Sequence, residues 1–537
     1  MDLKLARLID ELSHFSSRTS DECDQTEIVH LRMGYAENRI AILLGSSIAF
    51  GILYITGVVI YRLWFHPLAK YPGPFLNRVS QIPAIYAVIV GRLPMHTKTI
   101  HDKYGPIVRL SPNELSFNTP EAWEDIYGLR PGRPNLSKDP IHVGSVDPVP
   151  GVSTISMADN ETHARQRRAL SHGFSQQALW GQEEIVQSFV TKLLDNVEAF
   201  AQEKKSFNIV DWFNFMTFDV IGDLAFGESF GCLDKGDFHF WITLIFRAVQ
   251  AGAVETATRR VATPGSPLQQ YLMKWIPNEM RKQRKDHLAY SREKVLKRLA
   301  DTKTDRKDFV HYIVRQSKKI DLSQDEIIVN GALFIVAGSE TTAMTLSATV
   351  NFMMAHPAKF AKLREEIRST FAREEEITVD KATNLQYLNA CVEETLRLLP
   401  PAPIGFLRSV PQGGDTIDGQ YLPGGTTVSV STWCAAHSPD NFQNPDEFIP
   451  ERWYDPKYAN DKRLASRPFS MGPRGCIGKN LAYMELRLAL SRLFWRYNVE
   501  SVDGAPDWTT EGQMKNMKAY STWVKPELNV RVLPAVQ

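Results

Sequence analysis

The pattern of apolar and polar residues predicts a mainly helical protein with small β-sheets. Apolar residues recur at the three- and four-residue spacing of amphipathic or buried helices over several long stretches. Short apolar stretches bounded by Gly and Pro are typical of strands. The predicted helices include residues 181–204, 323–356, 357–372, 384–399 and 478–498, and the predicted strands are PIVRLS (106–111), ELSFN (114–118), TTVSVST (426–432) and LNVRVLP (528–534). We therefore expect an α+β fold in which helices dominate.

One long stretch near the start of the chain is apolar on all sides and lacks the polar positions of an amphipathic helix. Residues 40–61, IAILLGSSIAFGILYITGVVIY, contain no charged residue. As a helix rising about 1.5 Å per residue, the stretch would reach about 33 Å, and a bilayer core is about 30 Å thick. A buried core helix is less consistent with this length, and a cleavable signal peptide has a shorter apolar region nearer the start of the chain. The pattern indicates one retained transmembrane anchor.

The anchor divides the rest of the chain. Arg62, Lys70 and Arg78 follow it, with no acidic residue between positions 61 and 80, which favours a cytosolic C-terminal side. Residues 1–39 are then an N-terminal extension on the lumenal side, with a short amphipathic helix through Leu5, Leu8, Ile9, Leu12 and Phe15. Prolines at 67, 72 and 74 predict a stiff, extended connector over residues 62–74. Residues 75–537 show no internal repeat and form one predicted domain.

Charge and cysteine content limit the expected partners and the cellular compartment of the protein. The formal net charge is +1 and no sustained Lys/Arg run occurs, so nucleic acid is not an expected partner. The five cysteines are scattered and include no CxxC pair, which is typical of a chain in a reducing compartment.

The stretch PFSMGPRGCIGKNLA, residues 468–482, places Cys476 among glycines ahead of a predicted helix. A structural zinc site is nearly excluded, because its Cys and His ligands usually come in closely spaced pairs and Cys434, the nearest cysteine, lies 42 residues upstream. A catalytic nucleophile and an inert thiol remain alternatives. If Cys476 ligates an iron, glycines let backbone N–H groups approach the sulfur, and the following helix directs its positive end toward the thiolate.

The pattern Phe469-x-x-Gly472-x-Arg474-x-Cys476-x-Gly478 resembles the heme-binding signature of the cytochrome P450 superfamily. The resemblance implies the cytochrome P450 fold with heme b (iron protoporphyrin IX), and Cys476 as axial ligand of its iron. Phe469 would pack over the sulfur and Arg474 would pair with a heme propionate. Thiolate ligation favours cleavage of the O–O bond.

A second motif lies within the predicted helix 323–356, for which Ser323 and Glu326 predict an N-terminal capping box. Residues 337–342, AGSETT, resemble the oxygen-activation motif of the same family. The resemblance implies that Gly338 leaves room over the heme, and that Glu340 and Thr341 relay protons to dioxygen. A Thr-rich helix face with a solvated glutamate is the alternative.

Further motifs follow the family's order. Glu394-x-x-Arg397 on one helix, with Arg452 in FIPERW, resembles the structural Glu–Arg–Arg network of the family. Arg167 in HARQR and Arg408 in GFLRSV resemble its propionate-binding arginines. His163 stands where the family has Trp, which leaves the role of His163 open.

The resemblance implies a heme-thiolate monooxygenase in the endoplasmic reticulum membrane, single-pass, with its catalytic domain facing the cytosol. Because no G-x-G-x-x-G stretch or flavin domain occurs, NADPH electrons should arrive through a separate NADPH–cytochrome P450 reductase, with cytochrome b5 as a second donor. YRLWFHPLAKYPGP and DLAFGESFGCL resemble fungal secondary-metabolism members, which implies a lipophilic substrate. A heme-thiolate isomerase or dehydratase and a non-catalytic heme-binding membrane protein are the alternatives.

Overall fold

The computed structural model describes residues 38–142, 149, 151–301, 308–317, 320–502, 508 and 514–535. The amphipathic helix expected between Leu5 and Phe15 lies outside the described residues. The chain divides into two units, residues 1–69 and residues 70–537.

In the first unit, helix α1 spans Asn38–Phe65 and is long and apolar enough to cross a membrane. Its last turn, Tyr61–Phe65, is a π-helix. The helix ends because His66 precedes Pro67 and is extended, with φ −69° and ψ 142°. The Ala69 N–H then donates to the His66 carbonyl and closes a turn. The helix therefore runs four residues beyond the expected anchor of residues 40–61, and the segment after it begins with a turn instead of extended chain.

The second unit is built mainly from helices. In chain order they are α2 (Phe75–Val79), α3 (Ile82–Ile89), α4 (Leu93–Tyr104), α5 (Pro120–Tyr127), α6 (Asn160–Leu170), α7 (Gln176–Trp180), α8 (Glu183–Glu203), α9 (Ile209–Phe226), α10 (Cys232–Lys235), α11 (Phe240–Val261), α12 (Pro267–Met273), α13 (Asn278–Ala300), α14 (Phe309–Ser317), α15 (Gln324–Ala355), α16 (Pro357–Thr370), α17 (Val379–Thr383), α18 (Gln386–Leu398), α19 (Thr432–Ala436) and α20 (Lys479–Arg496).

Three small sheets accompany the helices. The strands are β1 (Ile107–Ser111), β2 (Glu114–Phe117), β3 (Ser137–Lys138), β4 (Phe207–Asn208), β5 (Arg408–Ser409), β6 (Asp415–Ile417), β7 (Gln420–Leu422), β8 (Thr427–Val430), β9 (Tyr497–Ser501) and β10 (Asn529–Pro534). The largest sheet has the order β1-β2-β8-β5-β3, in which β2 and β8 are parallel and the other pairs antiparallel. The second sheet is β4-β10-β9, and β6 and β7 form a hairpin.

Helix α15 lies in the core and contacts α9, α13, α18 and α20. It begins with the expected capping box, in which Ser323 and Glu326 each bond the other's backbone N–H. It is apolar and long enough to pass as a membrane span, but most of it is buried inside the protein. A Cβ on Gly331 would lie 3.0 Å from Val295 of α13, so glycine there lets the two helices approach closely.

Candidate functional site

The loop before α20 folds around Cys476. The Cys476 N–H donates to the Phe469 carbonyl at 2.9 Å, and the Gly475 N–H donates to the Gly472 carbonyl at 3.0 Å. Gly472 has a φ of +66°, and a Cβ there would lie 2.0 Å from the Tyr127 carbonyl oxygen. Glycine is thus required at position 472 by both conformation and space.

The Cys476 sulfur has polar neighbours that favour a negative charge. The backbone N–H groups of Gly478 and Lys479, at the start of α20, bond to it, and the Arg167 guanidinium attracts it. Burial outweighs these contributions and raises the pKa of Cys476 above its usual value. Its surface is nevertheless open to an internal cavity. The two N–H groups and Arg167 therefore favour a thiolate at this position, and a cation in the cavity would offset the cost of burying its charge.

Gly478 behaves differently from Gly472. Its φ is −85°, and a Cβ at this position would lie 4.0 Å from the Cys476 sulfur, an ordinary contact. The fold of the chain alone does not require glycine at 478. A glycine there keeps the cavity side of the loop free for a flat group that packs against the sulfur.

Two further residues support the cysteine loop. Arg167 of α6 donates from Nη1 to the Gly475 carbonyl at 2.7 Å. The Phe469 ring packs against Tyr483 of α20, with ring centroids 5.1 Å apart. Arg167, expected from the resemblance to bind a propionate, thus has a contact within the loop itself.

A cluster of cationic side chains lies on one side of the cavity. Arg408 on β5 is buried, and its Nη1 has no hydrogen-bond partner among the described residues. The same holds for Nη1 of Arg474, whose Nη2 donates to the Ala158 carbonyl at 2.7 Å. Burial and the Arg408 charge lower the pKa of Arg474 to about 10. Burial and four neighbouring cations, Arg474 first, lower the pKa of His163 to about 3.

These side chains fit an anionic cofactor. Arg408 is buried and Arg474 half-buried, and two neighbouring guanidinium groups with buried, unbonded N–H groups repel each other unless anions lie between them. Carboxylates are the groups that arginine binds best. The residues present therefore fit a flat group that carries an iron near Cys476 and carboxylates near Arg408 and Arg474, as heme does.

The AGSETT motif lies in α15, which faces the same cavity. The Thr341 hydroxyl donates to the Ala337 carbonyl at 2.8 Å, so it bonds the backbone of its own helix. A Cβ on Gly338 would lie 3.0 Å from Ile221 of α9. Gly338 was expected to leave room over the heme, and the structure adds a packing reason, the close approach of α9 to α15.

Glu340 is buried next to Thr341 and is not a solvated glutamate. Its Oε1 lies 2.5 Å from Nζ of Lys525, with side chains 8 % and 4 % exposed. The second oxygen of the Glu340 carboxylate, Oε2, is buried without a hydrogen-bond partner among the described residues. The alternative of a solvated glutamate on a Thr-rich helix face is therefore excluded for Glu340.

A single cavity of about 1310 Å³ is lined by Cys476, Thr341, Glu340, Arg408 and Arg474. It exceeds the roughly 300–1,000 Å³ of a site for one small molecule. Apolar side chains make up much of its wall, among them Ile221, Phe334, Val336, Leu396, Phe406 and Leu481. The volume leaves space for both a cofactor and a lipophilic substrate.

The structure brings Glu394, Arg397 and Arg452 together, all fully buried. Glu394 Oε1 lies 2.8 Å from Nη2 of Arg397 and 2.9 Å from Nε of Arg452. The N–H groups of Ile449 and the Trp453 indole each donate to Glu394 at 3.0 Å. Burial would raise the pKa of Glu394, but Arg397 and Arg452 hold it below the usual value. The network ties α18 to the segment that follows Pro450.

Sequence reasoning missed three contributors to the site. Asp461 is a fourth buried member of the network and pairs with Arg452. Lys138 on β3 lies in the cationic cluster, where it bonds His142 at 3.0 Å. Lys525 pairs with Glu340. No local pattern marks these residues, because each meets its partner through the tertiary fold.

The chain has many known relatives. The family model "Cytochrome P450" matches residues 78–524. The cytochrome P450 monooxygenase aba2 of Botryotinia fuckeliana (strain B05.10) is 45 % identical over 479 residues, which cover 88 % of this chain and 91 % of the relative. The cytochrome P450 monooxygenase ABA2 of Pyricularia oryzae is 45 % identical over 90 % of this chain and 95 % of its own. The trichothecene C-15 hydroxylase of Fusarium sporotrichioides is 40 % identical over 92 % of this chain and 98 % of the relative.

Proposed function

Because this chain belongs to the cytochrome P450 family and is an oxidoreductase of the monooxygenase type, we propose that it hydroxylates a lipophilic intermediate of secondary metabolism. The observation that carries the proposal is the arrangement of Cys476 and Thr341 in the wall of one cavity that is large and mostly apolar. Cys476 would be the axial ligand of the heme iron.

When bound, the heme supplies the one-electron chemistry that activates dioxygen. The residues of the chain would hold it and control its surroundings. The N–H groups of Gly478 and Lys479 stabilise the Cys476 thiolate. Arg408 and Arg474 would bind the two propionates with their unbonded N–H groups.

The part of the cavity wall formed by α15 would deliver protons. The Thr341 hydroxyl can exchange its bond to the Ala337 carbonyl for a bond into the cavity. The Glu340 carboxyl is the adjacent buried acid that can supply a proton to that hydroxyl. The apolar side chains around them exclude water, which would otherwise compete for the protons.

The name of one relative supports the reaction type. It is named a trichothecene C-15 hydroxylase, so hydroxylation is the reaction that we propose for this chain. The proposed electron source is NADPH, through a separate NADPH–cytochrome P450 reductase, with cytochrome b5 as a second donor. The absence of a G-x-G-x-x-G stretch from the sequence supports an external donor.

The test is metabolite profiling under ¹⁸O₂ in a fungal host that expresses the protein together with the reductase. We expect a lipophilic metabolite to decrease and a product that carries one ¹⁸O atom to accumulate. The matched variant is Thr341→Ala, which should retain the heme absorption but form at least about tenfold less product, since a positioned proton donor contributes about 10²–10⁴-fold.

The control for that variant is Thr370→Ala. Thr370 in α16 makes the same kind of hydroxyl bond, to the Glu366 carbonyl, but on an exposed helix surface. The Thr370→Ala variant should form as much product as the wild type. A product without ¹⁸O, or one formed in full by Thr341→Ala, would contradict the proposed reaction.

We also propose that α1 anchors the protein in the endoplasmic reticulum membrane with its catalytic domain in the cytosol. Removal of residues 1–65 should move the protein from the membrane fraction to the soluble fraction, because α1 is exposed and uncharged between Ile40 and Tyr61. Fractionation followed by immunoblotting measures this. Retention of the shortened protein in membranes would show that another surface binds them.

A further inference from the structure

The ion pair between Glu340 and Lys525 is buried in the cavity wall. One oxygen of the carboxylate is held by the lysine at 2.5 Å, while Oε2 has no hydrogen-bond partner among the described residues. An unpaired oxygen on a buried carboxylate is costly. Because Glu340 lines the cavity next to Thr341, the free oxygen is placed to accept or release a proton there.

Lys525 is held in a fixed position by its chain neighbours. The Trp523 side chain is fully buried and donates from Nε1 to the Pro400 carbonyl at 2.9 Å. The Leu528 N–H donates to Oδ1 of Asn208 at 2.9 Å, and the Ile209 N–H donates back to the Leu528 carbonyl at 3.1 Å. The segment is therefore anchored on both sides of Lys525.

Two acids, Asp211 and Glu527, line the cavity near Lys525. Asp211 of α9 attracts Lys525, and its Oδ2 accepts a bond from Nδ2 of Asn208 at 2.8 Å. Asp211 is half-buried, and Glu527, which interacts with it electrostatically, is exposed. The side chains of Glu340 and Lys525 are thus buried, Asp211 is half-buried and Glu527 is exposed.

The electrostatics favour proton transfer along this series. Burial raises the pKa of Asp211 and lowers the pKa of Lys525, although Glu340 and Asp211 oppose the change at the lysine. Both shifts bring the two groups closer in proton affinity. A proton can move between them at a smaller cost than between an ordinary acid and an ordinary lysine.

We propose that Lys525 is a positioning residue that passes protons to Glu340, in the order Glu527, Asp211, Lys525, Glu340. This inference rests on the proposed monooxygenase function. After Glu340 has given its proton to Thr341, the Lys525 ammonium neutralises the carboxylate. An N–H bond of Lys525 then breaks as an O–H bond of Glu340 forms. The neutral amine takes a proton from Asp211, Asp211 takes one from Glu527, and solvent reprotonates the exposed Glu527.

The first measurement asks whether Lys525 sets the charge of Glu340. Infrared difference spectra of the full-length holoprotein at neutral pH should show a new protonated-carboxyl band in Lys525→Met, because the lone buried carboxylate would take up a proton. The band should be missing from the double variant Lys525→Met/Glu340→Gln. Lys525→Arg keeps the positive charge and should show no new band.

The second measurement separates proton transfer from simple charge pairing. With reductase, NADPH and dioxygen but no organic substrate, the electrons end as water or as peroxide. Lys525→Met, Lys525→Gln and Lys525→Arg should each lower the water yield about tenfold in favour of peroxide. Arginine is included because it keeps its proton at all accessible pH values and cannot pass it on.

The control is Lys518→Met, which removes an exposed lysine of the same segment and should behave as wild type. A wild-type water yield in Lys525→Arg would overturn proton transfer through Lys525, and so would a wild-type yield in both Lys525→Met and Lys525→Gln. A wild-type protein without heme-thiolate absorption would refute the proposed function itself. Since that absorption is recorded first, the two failures are distinguished.

Discussion

Replacement of Cys476 by alanine should abolish the red-shifted absorption of the reduced, carbon-monoxide-bound protein. That absorption requires a thiolate on the iron, and among the four cysteines that the structure describes Cys476 is the one that lines the cavity. The Gly478 and Lys479 N–H groups and Arg167 would then surround a methyl group, which neither accepts hydrogen bonds nor carries charge. The measurements are the difference spectrum and the ratio of heme to protein, and product formation should fall to background.

Cys434→Ala is the matched control. Cys434 is also an unpaired cysteine, but it lies in the core, where burial raises the pKa of its thiol to about 12. Its loss removes a small buried group and should leave the absorption intact. Retention of the red-shifted absorption in Cys476→Ala would show that another group ligates the iron.

The regular elements of the fold could be predicted because their determinants are local. The five long helices and four strands expected from the sequence all occur, within a few residues of the expected ends. The start of α15 was predicted from the Ser323 and Glu326 side chains alone. Helix α1 continues four residues beyond the uncharged stretch that ends at Tyr61, because the first helix-breaking residue is Pro67.

The residues of the candidate site could be predicted from the sequence only where short motifs mark them. Cys476, Thr341 and the Glu394 network follow from short patterns with known spacing. The partner of Glu340 could not be inferred, since Lys525 lies in a different segment that meets α15 only in the folded chain. The same applies to the cationic cluster, in which Lys138 and Arg408 come from adjacent strands of one sheet.

Replacement of Glu394 by alanine should destabilise the protein by about 3–5 kcal/mol, because it leaves Arg397 and Arg452 buried without their shared counter-ion. Arg397 would retain its bonds to the Ala436 and Pro445 carbonyls, at 2.6 and 2.7 Å, but these do not neutralise its charge. A loss of this size is a large fraction of the roughly 5–15 kcal/mol that separates a native protein from its unfolded state. Urea unfolding of the holoprotein, followed by tryptophan fluorescence and heme absorption, measures the change.

The matched control removes an acid from an exposed ion pair. Asp234 pairs with Lys192 at 2.7 Å, with side chains 57 % and 45 % exposed, and Asp234→Ala should change the stability by at most about 1 kcal/mol. Glu394→Gln separates charge from shape, since it keeps an acceptor for the arginines but removes the negative charge, and it should lie between alanine and wild type. Equal losses in Glu394→Ala and Asp234→Ala would show that the buried network does not hold α18 to the segment after Pro450, because a surface pair would then contribute as much as the fully desolvated one.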